Sequence, residues 1–202
     1  NSLLDEINTD KIETLIANRG FYFVGDQATG KGFEIDENIA KQWLLKDPIN
    51  EVVIKPSLTA RDCTRRPFGE PEKWVIDFNE MTLEEAEKFK LPFNHVYSSV
   101  RNERQENSDQ KLKMKWWLHA RPRPEMRVAI EKEKGYFAIP RHSKWVIPIA
   151  MESNVLPNSS VVVIAGSDLY LLAILIATSL RCDFFPEPIF IIPLNFLFIK
   201  KI

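Results

Sequence analysis

Between residues 111 and 145 the chain holds ten Lys and Arg against three Asp and Glu, although its net charge over 202 residues is only −1. Trp116, Trp117, His119, Tyr136 and Trp145 interleave with those cations. Cationic side chains neutralise phosphates, and planar rings stack on sugars and bases, so the mixture suits a polyanion surface. A competing reading is a solvated helix with charge pairs, which Glu131 to Lys134 partly resemble. Arg61, Arg65 and Arg66 form a second basic group, and Arg101 and Arg104 stand shortly before Lys111, Lys113 and Lys115. For Arg61 the competing reading is a salt bridge to Asp62 that pins its own loop.

Catalytic chemistry is nearly spelled in places and then fails. Gly25-Asp-Gln-Ala-Thr-Gly30-Lys31 follows a P-loop for seven positions. The eighth must offer a hydroxyl to Mg²⁺, and Gly32 stands there. A P-loop also opens a helix, and Phe33 to Asp36 reads as a strand. A metal-dependent nuclease needs acids beside a lysine. Asp109-Gln110-Lys111 alone has that spacing, within a polar stretch. An adenine methyltransferase needs a Pro-Pro motif, and the chain has no Pro-Pro. His95, His119 and His142 lack any HxxE, HExxH or GxSxG setting. Cys63 and Cys182 form no CxxC, which excludes a zinc ribbon and fits a reducing compartment. We therefore expect no catalytic residues, no metal site and no cofactor in this chain.

The elements that must position these groups follow from periodicity. Leu3 to Asn18 has helical spacing. Strands are expected at Phe21–Gly25, Gly32–Ile35, Glu51–Lys55 (ending before Pro56), Trp74–Phe78, Tyr136–Pro140, Trp145–Ile149 and Val161–Ala165. Helices are expected over Asp36–Leu45, after the Thr82/Glu85 capping box, from Pro92 with Phe93, Val96 and Val100 on one face, and over Pro124–Glu133. Asp168 to Leu180 reads as a helix, apolar nearly all round and hence buried. Ser57 to Pro71 reads as a polar loop, and Asn102 to Gln110 as a mobile one. Strands and helices alternate without a βαβ rhythm. The fold class expected is α+β, with mixed, mostly antiparallel twisted sheets and flanking helices.

The early acids argue against a signal peptide, since residues 2–13 hold four of them. The twelve-residue apolar run Leu169–Leu180 is short for a bilayer span. A cytoplasmic protein without membrane or small-molecule partner is expected.

An ordered set of short motifs resembles the target-recognition domain of single-chain Type II restriction–modification enzymes, which fuse nuclease, N6-adenine methyltransferase and recognition domains. It comprises Gly30-Lys-Gly-Phe33, Asp47-Pro48, Val53-Ile-Lys-Pro56, Ala60-Arg61-Asp62 with Thr64 and Arg66-Pro67, Trp74-Val-Ile-Asp-Phe78, Met81 with Glu84-Glu-Ala86, Pro92-Phe93, Val96, Val100 and Arg104. Trp116-Trp117, Pro122-Arg-Pro124, Arg127, Ile139-Pro-Arg141 with Ser143-Lys144, and Val155-Leu-Pro157 complete it. Ala60 departs from the family's usual glycine. After Leu175 the chain leaves the pattern, and residues 181–202 are expected to be an atypical apolar tail, either a divergent ending or the product of a truncated or frameshifted gene. Residues 1–180 would be the recognition domain, with 1–19 a helix or linker from a methyltransferase domain.

The resemblance implies a module that closes over the major groove of double-stranded DNA and reads base edges. Arg141, His142, Lys144 and Trp145, with Arg65 and Arg66, are the expected base readers. Arg reads guanine by a fixed fork of donors. Arg61, Arg101, Arg104, Lys111, Lys113 and Lys115 are expected on phosphates, which position without specifying. Trp74, Asp77, Trp116 and Trp117 are assigned to the scaffold. S-adenosylmethionine and Mg²⁺ would belong to the methyltransferase and nuclease domains of a parent enzyme, which are the module's expected partners. The competing function is a gene remnant or protein-interaction domain with generic DNA affinity.

Overall fold

A computed structural model describes residues 20–143 and 147–182. The expected helix over Leu3–Asn18 and the tail from 183 lie outside the described residues. In chain order the elements are β1 (Tyr22–Val24), β2 (Glu34–Asp36), α1 (Glu37–Lys46), β3 (Ile54–Leu58), α2 (Ala60–Arg65), β4 (Lys73–Ile76), α3 (Leu83–Ala86), α4 (Lys90–Ser99), α5 (Arg101–Gln105), α6 (Gln110–Met114), α7 (Pro124–Lys132), β5 (Gly135–Pro140), β6 (Ile149–Glu152), β7 (Leu156–Pro157), β8 (Val161–Ala165) and α8 (Leu169–Cys182). The strands form two sheets, ordered β1-β8-β5-β6 and β2-β4-β3-β7. Every pair is antiparallel except β3 with β7. The protein is thus an α+β fold.

Buried residues of both sheets meet in one core. Leu58 and Ile76 from one sheet and Tyr136 and Val161 from the other join Phe33, Val96, Val100 and Met126. Each such side chain contributes about 1.5–3 kcal/mol on leaving water. Strand alternation explains the burial of β5 on both faces. Tyr136 and Ala138 face that core, while Phe137 points the other way, to Ile164 and Leu175 of α8.

Local patterns settle many elements. Thr82 and Glu85 form the expected reciprocal cap at α3. Phe93, Val96 and Val100 are buried along and just after α4, as their spacing predicts. Four expectations need correction. The strand at Glu51 is a 3-10 turn over Pro48–Val52, and β3 runs through Pro56. Proline is tolerated there because the parallel neighbour pairs only from Ser57, so no partner needs the missing N–H. The Ser57–Pro71 loop contains α2, and Asn102–Gln110 is framed by α5 and α6. Finally, α8 is not buried all round: Leu175 is 4% exposed, whereas Leu169 is 78% and Tyr170 71% exposed.

Candidate nucleic-acid interface

The basic residues fall into two places, and the fold treats them differently. The first is the end of β5 and the adjoining α2. A capping box starts α2: the Asp62 carboxylate accepts from Thr59 N at 2.9 Å and from Thr59 Oγ1 at 2.7 Å. Asp62 is therefore buried in its own cap, and the Arg61–Asp62 bridge considered from sequence is not the role it takes. Arg61, Arg65 and Arg66 all stand exposed. Ala60 N, at the first turn, donates to Ser160 Oγ at 2.9 Å. Arg141 N donates to the carbonyl of the same Ser160 at 2.9 Å, and Arg141 Nη1 to Ser159 O at 3.0 Å. The Ser159–Ser160 turn thus ties the start of α2 to the end of β5. Two basic groups 75 or more residues apart in sequence meet there, with His142 exposed beside Arg141. Lys144 and Trp145, and with them most of the expected Trp145–Ile149 strand, lie outside the described residues.

Cys63 anchors α2 from beneath, half-buried against the core. Burial pushes its thiol up to about 11, with the Asp62 charge adding to the effect. It is a packing residue at neutral pH, not an activated nucleophile.

The second place is α5 and α6. Lys111 and Lys115 are exposed and Lys113 is half-buried. Asp109 caps α6, accepting from Lys111 N at 2.8 Å. Arg101 is partly engaged: its guanidinium lies 4.7 Å from the Tyr97 ring centroid and donates to the Tyr97 hydroxyl. Arg104 corrects the phosphate assignment. It is 2% exposed, and its guanidinium donates to Ala28 O at 2.8 Å, Thr29 O at 2.7 Å, Trp116 O at 3.1 Å and Leu118 O. Burial pulls its pKa down to about 10, so it stays charged at neutral pH. A cation spent on backbone carbonyls cannot reach a phosphate. Its work is to hold the 25–31 loop.

That loop carries the P-loop-like spelling, and its geometry explains the glycines. A side chain on Gly25 would fall 2.2 Å from Asn158 O, and one on Gly32 would fall 2.1 Å from Ser99 Oγ. These are close approaches of backbone, not a phosphate cradle. The loop ends in a 3-10 turn at Lys31–Phe33 and strand β2, without the long helix a P-loop opens. It borders a cleft of about 320 Å³, lined in part by Gln27, Thr29, Lys31, Glu34 and Ser159.

A buried ionic cluster went unseen in the sequence. His119 Nδ1 lies 2.6 Å from Asp26 Oδ1, and its Nε2 donates to Ile76 O at 2.8 Å. Arg127 bridges Asp26 at 3.1 Å and Asp77, and its Nε donates to Pro122 O at 2.6 Å. Burial opposes the His119 charge, yet the bond and charge of Asp26, then Asp77, raise its pKa overall. Burial likewise opposes the Asp77 charge, but His119 and then Arg127 hold its pKa below the usual carboxylate range. Two carboxylates thus face Arg127 and a histidine whose charged form they favour. The partners are 50 and 101 residues apart, so no local spacing announces them. The cluster ties the loop after β1 and the end of β4 to α7. Trp116 is buried, and Trp117 Nε1 donates to Met81 O at 3.0 Å, which makes both part of the scaffold. Among the described residues no group of three or more His, Cys, Asp or Glu is arranged to hold a metal, and no helix is long and apolar enough to cross a membrane.

No family model and no curated protein matches the chain. Among solved structures, the fold matches part of MmeI, a Type IIL restriction-modification enzyme in complex with DNA. The likeness is one of fold. The TM-score is 0.59 at 13% identity, over 77% of this chain. The match spans 20% of the MmeI chain, about a fifth of its length.

Proposed function

We propose that the chain is a sequence-reading module for double-stranded DNA, from a restriction–modification enzyme and non-catalytic by itself. The observation that carries this reading is the convergence of Arg61, Arg65, Arg66 and Arg141 at one end of the first sheet. The fold likeness to MmeI, an enzyme whose structure contains DNA, supports it. Arg141 and His142, with Lys144, Trp145, Arg65 and Arg66, read base edges. Arg61, Arg101, Lys111, Lys113 and Lys115 contact phosphates, and Arg104 leaves that list. Methyltransferase and nuclease domains of a parent enzyme would bring S-adenosylmethionine and Mg²⁺, and this chain would direct them to a site.

Selection from a randomised duplex pool at low and near-physiological salt tests this. A reader retains a short enriched motif at the higher salt, with preference over random duplex of ~10³ or more. Retention that salt erases, without enrichment, defeats the proposal, because phosphate contacts alone carry no sequence information. That outcome would favour the second reading, a gene remnant or a protein-interaction domain with only generic DNA affinity, and for the latter the exposed Leu169, Tyr170 and Ile176 of α8 supply apolar surface.

A further inference from the structure

We propose that Phe68 is a wedge that enters a base step of duplex DNA, an inference that rests on the DNA-binding reading above. Phe68 is 87% exposed, and its backbone is left-handed, with φ 56° and ψ 12°. Left-handed backbone is a steric outlier for a bulky residue, and such strain persists only where surrounding contacts impose it. Here they do. Gly69 N donates to Arg66 O at 3.2 Å, Glu70 N to Pro67 O at 3.3 Å, and Arg66 Nη1 to Glu70 O at 3.3 Å. Gly69 is buried so close to β6 that an added side chain would lie 3.2 Å from Ile149 Cγ2. The turn is fastened at its base, and the ring is held out into solvent. Isolated, the chain strains its backbone for an aromatic that it does not bury.

The surroundings indicate what covers the ring. Arg65 and Arg66 immediately precede it, Arg61 lies one helical turn earlier, and all three are exposed. Exposed acids nearby are Glu70 and Glu72, and Glu37 feels the Arg66 charge. Three exposed arginines around one ring give this edge a cationic rim, and a cationic rim complements a phosphate backbone. Apolar wedges between base steps, flanked by cations on the backbone, are a recurrent way to unstack and kink a duplex.

A wedge gains most where unstacking is already done. The test compares the 202-residue chain on two labelled duplexes of about 20 base pairs, one fully paired and one with a central one-base bulge. Binding about tenfold tighter to the bulged duplex is expected. Phe68→Ala should lose that preference while holding the paired duplex within about threefold, and Phe68→Trp should keep it. Phe68→Gly, which suits the left-handed backbone, should also lose it without loss of thermal stability. A preference unchanged in Phe68→Ala and Phe68→Gly, or absent from the unaltered chain, overturns the wedge and leaves the DNA reading standing. The ring is then better explained by a protein partner. Both duplexes carry the motif enriched by selection, and no binding to either overturns both readings.

Discussion

Arg104 gives its guanidinium to the carbonyls of Ala28, Thr29, Trp116 and Leu118, whereas Arg61 and Arg65 stand in solvent on a helix whose own acid has turned inward, with Arg66 exposed just after it. The same side chain therefore does two jobs. In the first region charge is enclosed, matched and used to hold backbone. In the second it is left unmatched at one end of a sheet. Enclosed charge is expensive to leave without a partner, while exposed charge is worth little to folding and is free to meet another molecule. Substitutions in the two regions should separate stability from DNA binding.

The largest effect is expected at the buried cluster. Arg127→Met leaves Asp26 and Asp77 with only His119 for compensation, and should cost about 3–5 kcal/mol. Urea unfolding would measure it, and a shift below ~1 kcal/mol would mean that the carboxylates reach water or protonate. Arg104→Met should follow, because at least four carbonyls lose a charged donor at once. A loss of about 2–4 kcal/mol is expected, whereas Arg61→Met should stay within ~0.5 kcal/mol. Equal losses at Arg61 and Arg104 would erase the contrast between the regions.

The cluster also sets a pH dependence with two signs. His119 has a folded pKa above its unfolded value of about 6.5. Its contribution is complete below about pH 6.5 and fades as pH rises through the folded value. Asp77 has a folded pKa below its unfolded value, so its contribution is complete above about pH 4 and fades as pH falls through the folded value. Stability should therefore decline on both flanks. His119→Gln should flatten the alkaline flank alone, as thermal melts across pH would show. An unchanged alkaline slope would mean that His119 is neutral in the folded chain.

What was legible in the sequence depended on range. β8, the α3 cap and the buried face of α4 follow from side chains within one or two turns, and the structure keeps all three. Arg101 and Arg104 are alike at that range. What parts them is the loop at Ala28 and Thr29, 75 or 76 residues away, which closes over Arg104 and not Arg101. α2 was obscured for a local reason: its cap pairs Thr59 with aspartate, and the polar, basic run hid a six-residue helix. The two-patch layout of the basic residues needed the sheets. Nothing in the spacing shows that Ser159 and Ser160 bring Arg141 to the foot of α2.

The smallest effects are expected within the exposed region, where they divide readers from positioners. Arg141 is held by Ser159 O at 3.0 Å, and an arginine fixed from behind can present a defined fork to a base. Arg141→Ala should weaken the preferred site by about 1–3 kcal/mol and relax preference at one position. Lys115, exposed at the end of α6, has no such fixture. Lys115→Ala should weaken all sequences alike and reduce the salt slope of log K by about 1. Titration of preferred and scrambled duplexes at several salt concentrations reads both quantities together. If Lys115→Ala changed the sequence profile and Arg141→Ala only the salt slope, the α6 side would be the reading face. The arginines around Ser160 would then serve only to hold the phosphate backbone.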